Sequence, residues 1–389
     1  MSYTDISAYP ESRLRTTIKR LFSDPQFRAI LKKAWGLPRV FNKKNLASVF
    51  HWVKTFSSID EFQSMMFHLV SFNLRTTSDG LTATGLSELS QGNGPKLFLS
   101  NHRSTVLDTS YLNFVLAGSG LPTVYSAAGD NLMKTAWIQH LIRLNKGFVV
   151  KRNVEGVQEK LDEARRLSSY ISDLLDEGNS VWIAHRGGRA KNGDDKTDSA
   201  VLKMLSMNGS FSGFGEWSAR TRIVPMTISW EQLPQDEILA REVAGELEPS
   251  VGHRDLLNIV GEINGWKGRV HIAFGERIKG ATRGEIVSSL DREIQTNFRL
   301  WDANWLAYAR TSRLAQAARA NILAHIDLAR GERVLSRAAK LTRGTAEAFL
   351  SMYARPVVNA LKHVGTIDDL LNDQKRRFAG PALVAASAT

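Results

Sequence analysis

In the stretch SNHRSTVLDTS, Ser100 to Ser110, a histidine, an arginine and an aspartate stand together just after the apolar run KLFL. The run predicts a strand. The polar residues after it predict the strand-to-helix turn at which scaffolds commonly hold catalytic side chains beside a cleft. His102 suits a general base because the ordinary pKa of imidazole lies near neutrality; a carboxylate such as Asp108 would set its tautomer and steady its charged form. A base with no side-chain nucleophile beside it would activate a substrate hydroxyl for direct attack. The same residues also read as a surface histidine and a first-turn acid that complements a helix dipole. On an ideal helix six positions make a rotation of about 240°, so the two can meet only if His102 stands in the loop before the helix.

Three further stretches occupy the ends of predicted strands. Lys151 and Arg152 close GFVVK and precede a helix. HRGGRAKNG, His185 to Gly193, comes after SVWIAH; its glycines permit close backbone approach, and Arg186, Arg189 and Lys191 supply positive charge. Pro225 interrupts the apolar strand RIVPMTISW. The planar fork of arginine suits a phosphate, and a helix N-terminus adds oriented N–H donors. Together these residues imply a phosphorylated substrate held beside a base. His185, at the end of an apolar strand, reads as a buried, hydrogen-bonded histidine.

The elements that must position these groups alternate. KLFLS (96–100) leads to a helix near 107–117, TVYSA (123–127) to a helix near 131–144, and GFVVK (147–151) to a long helix near 154–177. That helix places Val157, Leu161, Ala164, Ile171, Leu174 and Leu175 on one apolar face. SVWIAH (180–185), a helix near 199–207, RIVPMTISW (222–230) and RVHIAFG (269–275) complete the series. Strands alternating with helices predict an α/β fold with a largely parallel central sheet flanked by helices. Helical spacing over 11–35 and 59–75 and after about residue 280 predicts helical extensions at both ends. The predicted organisation is a helical region over 1–84, an α/β domain over 85–280 and a helical region over 281–389, with LTATGLSELSQGNGPK as a turn-rich entry to the α/β unit.

Cysteine is absent, which excludes disulfides, thiol nucleophiles and zinc–thiolate sites and fits a reducing compartment. The N-terminal MSYTDISAYPESRLR has no apolar core of a signal peptide, and no run reaches the roughly 18 apolar residues of a spanning helix. The expectation is a cytoplasmic protein, soluble or peripherally associated with a membrane. Residues 1–45 hold ten Lys/Arg against three Asp/Glu, and residues 309–389 thirteen against six, so the formal charge of +12 lies at the ends. Basic flanks on a nearly neutral body suit an anionic partner. Without a recognisable nucleic-acid motif, an anionic membrane surface is the expected partner and nucleic acid is not. The segment Ala34 to Phe56 could insert Trp35, Phe41, Phe50 and Trp52 at such a surface, or bury them as core.

NHRS with its following aspartate, then G-x-x-x-K-R, then GGR, then an apolar strand with Val-Pro, come in an order that resembles the glycerol-3-phosphate and 1-acylglycerol-3-phosphate (lysophosphatidate) acyltransferases, over roughly residues 85–280. The first motif is more similar to the NHR-x4-D form of a bacterial subgroup. The resemblance implies that His102 is the general base, that Asp108 orients it, and that Arg152 and Arg189 hold phosphate. It extends the substrate-binding set to Arg103, Ser104, Lys151, Gly187, Gly188 and Pro225. It implies an acyl donor on coenzyme A or acyl carrier protein, a glycerophosphate or lysophospholipid acceptor, an acyl groove lined in part by the Val224–Ile228 strand, and no metal or other cofactor. One departure stands out: the family's third motif carries a glutamate before its glycines, where this chain has Arg186. That acid is then missing or supplied from elsewhere, and a non-catalytic scaffold holding anionic lipid on the same fold is the alternative reading.

Overall fold

The computed structural model describes residues 2–34, 55–92, 94–152, 154–208, 211–248, 253–380 and 382–383. The segment with Trp35, Phe41, Phe50 and Trp52 lies outside the described residues. Among those described, one sheet runs through the chain: β1 Leu81–Thr84, β2 Leu97–Ser100, β3 Tyr125–Gly129, β4 Gly147–Val150, β5 Val181–Ala184, β6 Ile223–Trp230, β7 Val270–Phe274 and the short β8 Ala382–Leu383. Their order across it is β4-β3-β5-β2-β6-β7-β1-β8. From β4 to β6 every neighbouring pair is parallel. β7 then runs antiparallel to β6 and parallel to β1, and β8 closes the far edge antiparallel to β1.

Both faces of the sheet are covered, as parallel strands require. The period of two divides each strand between two layers: Leu97, Leu99, Val181 and Ile183 join one apolar cluster, while Phe98 and Trp182 join the other. Helices Ile59–Thr77, Leu107–Gly118 and Ala136–Leu144 pack on the second layer through Phe62, Tyr111 and Trp137. Helices Val157–Asp176, Ser199–Leu205 and Arg283–Thr296 pack on the first through Ile171, Leu202 and Leu290. Beyond the sheet, Phe298, Trp305, Ile322, Val357 and Leu370 form a separate helical core.

Several expectations need correction. LTAT in the supposed turn-rich entry is β1, whose Leu81 and Ala83 are buried while the Thr82 and Thr84 hydroxyls bond the two ring nitrogens of His271 at 2.8 and 3.1 Å. The short run with two threonines conceals a strand because its inward residues are only a leucine and an alanine. The sheet therefore starts at Leu81, ahead of the expected boundary at 85. The segment near 131–144 is a 3-10 turn, Asp130–Lys134, followed by the helix Ala136–Leu144. The apolar face of the long helix is buried only in its second half, and Val157 is 77% exposed. Two helices, Asp236–Val243 and His253–Asn264, come after β6 where the sequence reading placed nothing.

Candidate active site

Parallel neighbours discharge their loops at one edge. Because β2 pairs with β5 in the register Ser100↔Ala184, the loop after β2 and the loop after β5 emerge side by side although more than 80 residues separate them. β3 and β4 extend the same row, which brings Arg152 to that edge as well. This is the carboxyl end of a parallel sheet, where α/β folds bind ligands.

His102 stands in the loop between β2 and the helix Leu107–Gly118, as the spacing demands, and Asp108 is the second residue of that helix. The imidazole Nδ1 lies 2.8 Å from Asp108 Oδ2. That oxygen also accepts from the backbone N–H groups of Arg103 (2.7 Å) and Ser104 (3.0 Å). A carboxylate oxygen already accepting two N–H groups accepts Nδ1–H of the ring as a third donor, which leaves Nε2 as the acceptor nitrogen. Asp108 is 1% exposed and His102 17%, so the acid is enclosed while the ring reaches the surface of a cavity. The ring packs edge-on against Trp182, with centroids 5.7 Å apart.

The cavity has a volume of about 1190 Å³. Arg152, Arg186 and Arg189 line it with Gly187, Gly188 and Lys191, while Met66, Phe67, Val70, Leu141 and Ile142 form an apolar wall. Gly188 adopts φ +81, a conformation natural to glycine, in the turn that presents Arg189. Lys191 is held by Glu242 at 2.8 Å, and Arg186 donates to the Asp194 carbonyl at 2.9 Å. The cavity thus joins the His102–Asp108 pair, a group of cations and a set of apolar side chains.

Four of the expected substrate-binding residues do not line this cavity. Arg103 is buried against Asp195 at 2.5 Å and donates to the carbonyls of Gly193 (3.1 Å) and Ala190 (3.4 Å), so it ties the β2 loop to the β5 loop from behind. Ser104 is fully buried and donates to Glu262 at 2.9 Å. Lys151 turns to the outer surface, where Asp5 at 2.8 Å and Glu163 at 3.1 Å hold it and raise its pKa, the Asp5 contact most. Pro225 is enclosed within β6 opposite Leu99. Its carbonyl accepts from Gly275 N, one residue beyond the end of β7, so the missing proline N–H falls where the ladder has run out. The Val224–Ile228 strand is buried on both faces and lines no part of the cavity; the apolar wall comes from helices Ile59–Thr77 and Ala136–Leu144 instead.

The structure adds two buried acids that the sequence reading missed. Asp195 supports Arg103, and burial raises its pKa against the opposing pull of that guanidinium. Glu262, from the helix His253–Asn264, contacts both the β2 loop and Arg189. Neither has a sequence signal beyond being one acid among 39. His185, by contrast, is fully buried and bonds Thr197 Oγ1 at 3.1 Å; burial pushes its pKa down to about 3.

Residues 80–229, the stretch from β1 into β6 that carries these exit loops, match the family model described as Acyltransferase. Among individual proteins, the chain is similar to the dihydroxyacetone phosphate acyltransferase of Bos taurus, 26% identical over 185 residues that make up 47% of this chain and 26% of that protein. It is also similar to the glycerol-3-phosphate acyltransferase of Pseudomonas entomophila (strain L48), 24% identical over 275 residues, 69% of this chain and 32% of that protein. The chain therefore spans roughly a quarter to a third of the length of these relatives.

Proposed function

We propose that this chain is an O-acyltransferase that moves a fatty acyl group from a thioester, on coenzyme A or acyl carrier protein, to a hydroxyl of a phosphorylated glycerol such as glycerol 3-phosphate or 1-acylglycerol 3-phosphate. The observation that carries the reading is the His102–Asp108 pair opening onto a cavity with guanidinium groups on one wall and apolar side chains on another. The names of the two relatives, whose acceptors are both phosphorylated three-carbon compounds, support it.

In this reading His102 Nε2 takes the proton of the acceptor hydroxyl as the oxygen attacks the thioester carbonyl. Asp108 stabilises the imidazolium that forms, and collapse of the tetrahedral intermediate breaks the C–S bond and returns the proton to the departing thiolate. Arg152 and Arg189 hold the acceptor phosphate. The N–H groups of Arg103 and Ser104 are committed to Asp108 and that of Thr105 to Glu262, so they cannot serve the developing oxyanion. The Gly187–Gly188 backbone on the cavity wall is the donor we assign to it. Among the described residues no helix is long and apolar enough to cross a membrane. Access to lipid is proposed to be peripheral, through the basic ends.

Thiol release from acyl-CoA and acyl carrier protein thioesters, measured against a panel of glycerophosphate acceptors, tests the reading. Wild type should turn over at least one pair. His102→Ala should lose on the order of 10²–10⁴ in rate with an unchanged melting curve. Arg152→Ala should raise the acceptor KM by about one to two decades and leave the donor KM nearly unchanged. A folded wild type that releases no thiol with any acceptor would return the protein to the scaffold reading.

A further inference from the structure

The carboxylate of Glu262 is fully buried and accepts four hydrogen bonds. Oε2 takes Ser104 Oγ at 2.9 Å and Thr105 N at 2.8 Å, while Oε1 takes Thr105 Oγ1 at 2.9 Å and Arg189 Nη1 at 2.8 Å. It therefore touches, with one rigid group, the loop that carries His102 and the arginine assigned to the acceptor phosphate. Asp108 meets the same loop from the other side through the N–H groups of Arg103 and Ser104. Every backbone donor from Arg103 to Thr105 is thus held by one of two acids, and only one of these, Asp108, is part of the motif.

We propose that Glu262 is a positioning residue, which holds Arg189 in register with the His102 loop. The proposal rests on Arg189 being an acceptor-phosphate ligand. Its physical basis is that an arginine carries five N–H donors in a planar fork. Committing one nitrogen to a buried anion orients the plane and leaves the remaining edge for the phosphate. Arg186, the residue just before the Gly187–Gly188 turn, lines the cavity as one more cation, and the anion against Arg189 is Glu262. Glu262 arrives from the helix His253–Asn264, a segment outside the matched residues 80–229.

Calorimetric titration of the full chain with glycerol 3-phosphate, with inorganic phosphate as a second probe, reads the effect apart from turnover. Glu262→Gln, which preserves shape and one acceptor oxygen, should weaken glycerol 3-phosphate binding roughly tenfold, the loss of about one charge-assisted contact. Arg189→Ala should weaken it at least as much, and the double variant no more than Arg189→Ala alone, because the two act as one unit. In turnover assays the same substitution should raise the acceptor KM and leave the donor KM unchanged. If Glu262→Gln melts too early to titrate, Thr105→Val, which removes one bond to Oε1, should show a smaller loss in the same direction. Unchanged affinity in Glu262→Gln, or losses that multiply in the double variant, would overturn the assignment. Should wild type bind glycerol 3-phosphate yet release no thiol, the acyltransferase reading falls and the positioning role stands on the binding data; should it not bind at all, both fall.

Discussion

At the scale of single residues, the site separates groups that face the cavity from groups that hold its walls together, although both kinds sit within one short motif. His102 reaches the cavity; its neighbour Arg103 points into the protein, where it spans the β2 and β5 loops through Asp195 and two carbonyls. Removing one partner of such a buried pair leaves an uncompensated charge, which typically costs about 3–5 kcal/mol. Arg103→Ala should therefore lower the urea midpoint sharply, whereas Arg103→Met combined with Asp195→Leu should recover much of the loss, since both charges are gone. The contrary result, a variant of native stability whose acceptor KM alone rises, would place Arg103 at the substrate.

At the scale of elements, the β5 loop is held from three directions. Arg103 grips it from the β2 side, Gln295 donates to the Asp195 carbonyl at 2.6 Å from the helix Arg283–Thr296, and the long helix Arg343–Val364 packs against Gly193. Gly193 adopts φ +79, and a Cβ there would collide with the Met352 carbonyl. Both conditions exclude a side chain. Gly193→Ala should destabilise the protein by at least about 1–2 kcal/mol from the left-handed backbone alone, and displacement of the helix or the loop should reduce turnover as well. Gly187→Ala, where a Cβ meets nothing within 4 Å, serves as the comparison; its stability should stay within about 0.5 kcal/mol of wild type. Equal urea midpoints for the two variants would deny the C-terminal helix a part in shaping the site.

At the scale of the whole molecule, burial of titratable groups makes stability depend on pH. Burial pushes His185 and His271 down to about 3, so between pH 6.5 and 3 the unfolded chain binds protons that the native state refuses. Stability should fall as pH drops through that window, by up to about 1.4 kcal/mol per unit for each histidine. Asp195 and Glu262, raised by burial, act in the opposite sense, so a variant comparison is needed to isolate the histidine effect. His271→Gln should flatten the acid side of a plot of unfolding free energy against pH; a slope identical to wild type between pH 6.5 and 4.5 would count against a neutral buried His271. The basic C-terminal region is also partly consumed by the fold: Arg330 is bound to Glu231 and Asp79, Arg337 to Asp236, and Arg377 to Asp373. These cations are occupied within the protein, which shifts the weight of any contact with anionic lipid to other positions.

What the sequence alone determined was local. Apolar runs ending in charged turns marked β2, β4, β5 and β6 to within a residue or two, because strand periodicity and turn chemistry are properties of neighbouring residues. The same reasoning placed His102 in a loop ahead of Asp108, since helix geometry forbids any other meeting. β1 escaped notice because its burial depends on His271 and β7, nearly 190 positions away. Whether a cation serves substrate or scaffold was likewise a matter for the tertiary structure. Lys151 and Arg152 are adjacent in sequence, yet one faces Asp5 and Glu163 and the other the cavity. Which way each cation faces is settled by the elements that surround it. Glu262 is the clearest case: an acid on an unremarkable helix becomes a four-fold acceptor because the fold brings it beneath the β2 loop, and no spacing along the chain encodes that distance.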